Sequence, residues 1–299
     1  MAASAPLLAY ERLRSAPLSG EAAAQAPAVI AVLHGVTGSS GQLAPFTQQL
    51  IDAAAAAAGR PVEAVLINQR GHGGSRNLPF SPPHNVEACT EDALALLRRD
   101  LGPQAAPTAI LGHSLGGKVA LSLLARLAAD AALLPKQVWA IDAAAGETDP
   151  ASFALLLGML KNLAALQQPL DSLEPVKQAV ADVGLPEPAQ KYMASRCDQL
   201  EGGGFRTTFD PAMTRSMLES YLVHFINGGE SDILEGCPEE KARFTAGMAA
   251  KHAAGSTGPS ADPVQYWEVP GAAHFVPWTH AAELAAAVAP VLAGALAVA

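Results

Sequence analysis

A serine set between glycines defines the chemistry to expect of this chain. Gly112-His113-Ser114-Leu115-Gly116 fits G-x-S-x-G, the strand-to-helix turn that presents a nucleophilic hydroxyl. The context agrees on both sides. Pro107 to Leu111 is a short apolar run suited to a strand, and Lys118 to Leu127 has helical composition. The glycines have a physical reason, since side chains at Gly112 and Gly116 would collide in so sharp a turn. The helix that follows aims its first N–H groups at developing negative charge. A pattern this short also arises by chance as an ordinary glycine-rich turn, so it needs partners elsewhere.

A serine nucleophile needs a base, and the base needs an orienting acid. In an elbow of this type they follow in the order serine, acid, histidine. His274, in Pro270 to Val276, lies after the last expected strand and before the final helix, and is the expected base. His113 adjoins the nucleophile and must leave the turn in another direction. His34 and His72 lie in loops before the elbow and read as scaffold. His84, His224, His252 and His280 lack a comparable context. Two aspartates compete for the acid: Asp142, ending the strand after the elbow helix, and Asp232, in Gly228-Gly229-Glu230-Ser231-Asp232. Both belong to the carboxyl edge of a parallel sheet, where such sites form. At least one of them is then an ordinary loop aspartate bonding its own backbone, unless they share the role. Asp149, Asp171 and Asp210 fall in the segment read below as a cap. The oxyanion needs two backbone donors, expected from Leu115 and from Val36 in His34-Gly35-Val36.

These residues require an alternating α/β frame. Strands are expected at Leu7–Arg14, Ala28–Leu33, Val62–Ile67, Pro107–Leu111 and Gln137–Ile141, with helices at Leu43–Ala58, Asn85–Asp100 and after the elbow. This rhythm implies a mostly parallel sheet with helices on both faces. It breaks between Ala143 and about Tyr221, a helical stretch punctuated by prolines in which no strand is evident. The reading is a core of residues 1–147, a helical cap of residues 148–221 and a second core part of residues 222–299. The sheet resumes at Leu222–Asn227 and closes with Gln265–Val269, and the tail from Ala281 is a packed helix. Gly255 to Pro263 reads as a surface connection. Phe153, Leu155, Leu156, Leu157, Met159 and Leu160 fit either an acyl pocket or packing of the cap onto the sheet.

Composition narrows the class. At 299 residues, half of them hydrophobic, the chain can bury a large core. A net charge of −9 argues against nucleic acid as a partner. Cys89, Cys197 and Cys237 are widely spaced, which suggests neither a disulfide framework nor a zinc site, and Cys89 reads as a small core residue. No metal site is expected. The expected setting is the cytoplasm or another reducing compartment, an organelle being open if a targeting peptide has been removed. No signal-peptide core and no apolar run of membrane-spanning length are evident. The partner is a small-molecule acyl substrate, and the sequence is silent on oligomeric state.

Taken in order, His34-Gly35 with Gly38-Ser39-Ser40, Arg70-Gly71-His72-Gly73-Gly74-Ser75, Gly112 to Lys118, and Gly271-Ala272-Ala273-His274 resemble the α/β-hydrolase superfamily over nearly the whole chain. Gly112 to Val119, the cap segment Leu185 to Tyr221 and Gly228 to Ser231 are similar to the small-capped esterase branch. That branch includes the bacterial esterase YbfF and the abhydrolase-domain-containing protein 11 group. The resemblance implies hydrolysis of carboxylic ester or thioester bonds without a cofactor. It implies Asp142 as the acid, with Ser231 supporting the histidine. Asn68 stands where the superfamily often has aspartate, and Ala273 where glycine is common before the base. Cofactor-free haloperoxidases and carbon–carbon bond hydrolases share the layout, as do receptor-like members with little turnover. Epoxide hydrolases and haloalkane dehalogenases are disfavoured, because their elbow nucleophile is aspartate.

Overall fold

The computed structural model describes residues 6–102, 105–128, 133–143, 153–221, 277 and 280–297. Six-residue apolar runs form the centre of its sheet. β2 (Ala28–Leu33) pairs in parallel with β3 (Val62–Ile67) on one side and β4 (Ala109–His113) on the other. β5 (Gln137–Ile141) continues in parallel from β4, and β1 (Tyr10–Arg14) lies antiparallel along β3. Among the described residues the order is β1-β3-β2-β4-β5. β1 keeps Glu11, Arg12 and Arg14 on its short edge, a composition that discourages further pairing.

The alternation of side chains along the parallel strands feeds two cores. Ile30, Val32, Ala64, Leu66, Ala109 and Leu111 face α1 (Ser40–Ala58) and the last helix, α8 (Ala281–Ala297). Ala31, Leu33, Val65, Ile67 and Ile110 face α2 (Val86–Leu101) and α3 (Leu115–Leu127). Helices thus cover both faces, as the β-α rhythm requires. Helix starts are set by specific acceptors. Asn85 caps α2 by accepting from Ala88 N–H at 2.8 Å, and Asn68 Oδ1 accepts from Ser40 N–H at 2.9 Å at the start of α1. α1 ends at Gly59, whose φ of +63° gives the left-handed cap.

The inserted segment is mostly helical, with α4 (Ala154–Ala164), α5 (Glu174–Ala181), α6 (Glu187–Ala194) and α7 (Pro211–Tyr221). The expectation that it holds no strand is wrong. β6 (Cys197–Gln199) and β7 (Phe205–Thr207) form an antiparallel hairpin. Its strands are too short to show an alternating pattern, and Gly202-Gly203-Gly204 supplies the turn, with φ of +88° at Gly203 and +81° at Gly204. Phe153, Met159 and Leu160 are buried in the cluster that joins this segment to the sheet, whereas Leu155 stands 54% exposed. For those three, packing of this segment onto the core accounts for the residue type. The expected strands at Leu222–Asn227 and Gln265–Val269, the Gly255–Pro263 connection and Cys237 lie outside the described residues.

Candidate active site

Strand register brings the neighbours of Ser114 into one row. Leu33 is level with Gly112, and His113 with Ile141. Continuing past the strand ends sets Gly35, Ser114 and Asp142 side by side at the carboxyl edges of β2, β4 and β5. Backbone strain gathers at the same edge. Among the described residues three non-glycine residues have positive φ: Thr37 at +64°, Ser114 at +51° and Asp142 at +45°. Each costs on the order of 1–3 kcal/mol and persists only where its surroundings over-determine it. All three lie in the loops that end β2, β4 and β5.

Ser114 occupies the turn with φ +51° and ψ −118°, and is 5% exposed. Its N–H donates to Ile141 O at 3.0 Å, and its carbonyl accepts from Gly117 N–H at 2.8 Å, which opens α3. The glycines around it leave no room for a methyl group. A Cβ on Gly112 would lie 2.0 Å from Gly116 O, and one on Gly116 would lie 2.3 Å from Leu33 O. One on Gly117 would reach Ala143 Cβ at 2.4 Å. Close approach therefore explains both motif glycines and a third, as the strand–turn–helix reading anticipates. α3 begins at Leu115, earlier than composition suggests, because helix propensity penalises Gly116 and Gly117 whereas packing demands them. Leu115 is the first helical residue, a position whose N–H has no intrahelical acceptor.

The loop after β2 folds tightly against Ser114. Gly38 N–H donates to Gly35 O at 3.0 Å, closing a turn over Val36 and Thr37. A Cβ on Gly35 would meet His113 Nδ1 at 2.8 Å and Ser114 Cβ at 3.0 Å. Val36 thus follows directly the residue that abuts the serine. Beneath it His34 is fully buried. Gln69 N–H donates to His34 Nε2 at 3.1 Å, and Gln69 Nε2 donates to His34 O at 2.5 Å. The ring proton is therefore on Nδ1, which donates to Gly35 O at 2.8 Å. Burial, reinforced by nearby His72, lowers His34 to about 3, against the raising effect of that Gly35 bond. Burial likewise lowers His72 to about 4, although its bond to Arg70 O and the charge of Asp210 oppose the shift. Both rings are structural and neutral at pH 7, in keeping with their expected scaffold role. Gln69 carried no motif weight in the sequence. Its one signal is a long amide side chain at a strand end between Asn68 and Arg70.

The segment after β3 is equally constrained. Arg70 pairs with Asp92 at 2.7 Å, and their side chains are 7% and 5% exposed. The guanidinium also donates to Pro83 O at 2.9 Å and lies over the Phe80 ring. Burial raises the Asp92 carboxyl, and the Arg70 contact counteracts it. Asn68 Nδ2 donates to Ser40 Oγ at 2.9 Å, and Ser40 Oγ donates to Glu11 Oε1 at 2.5 Å. Asn68 is thereby linked through the Ser40 hydroxyl to the Glu11 side chain. Cys89 is buried in the core, its thiol pushed up by burial to about 12, as a packing role requires.

Of the expected site residues, Ser114, Leu115, Val36 and Asp142 are described at this edge, and His274, Asp232 and Ser231 lie outside the described residues. Among the described residues no group of histidine, cysteine and carboxylate side chains is arranged to hold a metal ion. No helix among them is long and apolar enough to cross a membrane.

The family model of the alpha/beta hydrolase family matches residues 30–287. The chain belongs to that family. A comparison with curated proteins gives no significant match. Among solved structures, this alpha/beta hydrolase is similar to an esterase from a marine microorganism. The TM-score is 0.63 at 16% identity, over 94% of this chain and 98% of that one. It is also similar to E-2-(acetamidomethylene)succinate hydrolase, with TM-score 0.56 at 19% identity, over 88% and 90% of the two chains. A third likeness is to AqDC, in a structure concerned with ring cleavage of the Pseudomonas quinolone signal. There the TM-score is 0.53 at 17% identity, over 95% and 96%. At these identities the likeness is one of fold: a mostly parallel central sheet flanked by helices.

Proposed function

We propose that this protein is a serine hydrolase that cleaves carboxylic ester or thioester bonds through an acyl-enzyme on Ser114. The observation that carries the reading is the strained Ser114 turn, with Gly35 of the opposing loop packed against the serine Cβ. Ser114 Oγ attacks the acyl carbonyl carbon while His274 takes its proton. The oxyanion accepts hydrogen bonds from the N–H groups of Leu115 and Val36. Its collapse expels the alcohol or thiol, which His274 protonates, and water activated by the same histidine releases the acid. The row that sets Asp142 level with Ser114 supports Asp142 over Asp232 as the orienting acid, with Ser231 a supporting hydroxyl. The esterase among the structural neighbours agrees with this chemistry. The catalytic unit comprises core residues 1–147 and 222–299, with residues 148–221 as the cap over a small acyl substrate.

The test is hydrolysis of p-nitrophenyl esters from acetate to decanoate by the native chain and by Ser114→Ala. Turnover that disappears in the variant supports the proposal. Turnover that survives refutes it. Asp142→Asn and Asp232→Asn, assayed separately, decide the acid: the larger loss identifies it.

A further inference from the structure

The loop carrying Val36 is held from the cap as well as from the sheet. His72 is the connecting piece. Its ring lies 5.0 Å from that of His34 on one side and stacks on Phe209 of the cap, 5.9 Å between centroids and 19° between planes, on the other. Its Nδ1 donates to Arg70 O at 2.8 Å, and its Nε2 accepts from the Thr214 hydroxyl, the first turn of α7, at 3.3 Å. The surrounding backbone is fixed to the cap as well. Gly73 N–H donates to Thr208 O at 2.8 Å, Asp210 N–H donates to Gly71 O at 2.7 Å, and Arg76 Nε donates to Phe209 O at 3.0 Å. His34, Thr214, His72 and Phe209 are all fully buried, and close-packed interiors of this kind transmit a displacement from one side chain to the next.

We propose that His72 is a positioning residue through which the seating of cap residues Phe209 and Thr214 sets the oxyanion donor of the loop after β2. The inference rests on the assignment of Val36 N–H as that donor. A movement of His72 is passed to the His34 ring, and His34 holds Gly35 O through Nδ1. Gly35 lies so close to His113 and Ser114 that it has no room for a side chain, so a displaced loop moves the neighbouring donor relative to Ser114. Misplacement of a reacting group by about 1 Å can cost 10²-fold in rate. A hydrolase built this way reaches full transition-state stabilisation only with the cap seated.

The test uses the full chain with Phe209→Leu, which thins the stack, and Thr214→Val, which is nearly isosteric and removes only the hydroxyl. kcat and KM are measured on p-nitrophenyl butyrate. Inhibition constants are measured for a trifluoromethyl ketone with the same acyl chain, which forms an oxyanion on the serine, and for the matching alcohol, which does not. Expected are a fall in kcat of about tenfold for Phe209→Leu and about threefold for Thr214→Val, with KM within about twofold. The ketone should weaken by the same factors, and the alcohol should be unaffected. A raised KM with unchanged kcat overturns the proposal, as does a lowered kcat with unchanged ketone affinity. Thr214→Val carries the test alone if Phe209→Leu does not fold. Turnover surviving in Ser114→Ala would overturn the serine mechanism and this role together. A dead Ser114→Ala with unchanged ketone affinity in the cap variants would overturn only this role.

Discussion

Gly35→Ala isolates the contact between the β2 loop and the nucleophile. Its methyl group would lie 2.8 Å from His113 Nδ1 and 3.0 Å from Ser114 Cβ. Ordinary carbon contacts are about 3.5–4.0 Å, so the loop and the elbow must separate by roughly 0.5–1 Å. The elbow is locked by Gly112 and Gly116 against backbone, so the loop gives way. An oxyanion donor that sat at about 2.9 Å then lies near 3.4–3.9 Å, beyond useful hydrogen-bonding range. Losing one such donor typically costs about 10²–10³ in turnover. kcat on p-nitrophenyl acetate should therefore fall by about 10²-fold. Overpacking should also cost about 1–3 kcal/mol of stability. Steady-state kinetics and urea unfolding measure both, with near-UV circular dichroism confirming the fold. A folded Gly35→Ala protein whose kcat stays within about threefold of the native value would refute the assignment of the oxyanion loop.

Other consequences are as concrete. Asp92→Asn leaves the buried Arg70 guanidinium without its counter-charge and should lower unfolding free energy by about 3 kcal/mol; a change below about 0.5 kcal/mol in urea titration would contradict this. Asn68→Asp replaces a donor to Ser40 Oγ with an acceptor and adds a charge close to Glu11, so it should destabilise by about 1–3 kcal/mol, whereas Asn68→Asp with Glu11→Gln should recover part of the loss. Gly294→Ala meets no neighbour within 4 Å in α8 and should stabilise by about 0.5–1 kcal/mol, read as a rise in Tm. His34 and His72 have folded-state pKa values lowered to about 3 and about 4, so between the unfolded value of 6.5 and these the unfolded chain binds more protons. Stability is then full above pH 6.5 and falls as pH drops, by about 4 kcal/mol for the two rings together between pH 7.5 and 5; urea midpoints that stay level across that window would show that the rings are not buried as neutral groups.

Much of this was legible in local pattern. The apolar run Ala28–Leu33, the alternation of strand and helix, and the glycines about Ser114 are each properties of neighbouring residues, and each appears in the structure where the pattern puts it. The hairpin Cys197–Gln199 with Phe205–Thr207 was not legible, because three-residue strands carry no period and the triple glycine reads as loop. Nor were the long-range polar pairs. Nothing local to Arg70 says that it meets Asp92, and nothing near Asn68 points to Ser40 and Glu11. The start of α3 at Leu115 shows packing overruling propensity at Gly116 and Gly117. His274 and Asp232 are readings from sequence order and Ser231 from the family resemblance, and Asp232→Asn bears on the choice of acid.

The motif glycines bear on how this protein could acquire new substrates. At Gly112 and Gly116 the permitted volume is bounded by backbone atoms, which no neighbouring rotamer can vacate. A side chain at either position can therefore only disrupt the turn; it has no spare space in which to try a new shape. The inserted segment differs, for its surface positions include Leu155 and the open turn at Gly202, where added atoms meet solvent. If the proposed reaction holds, variation in its scope is thus channelled by geometry into the inserted segment, while the Ser114 turn is held constant by lack of room.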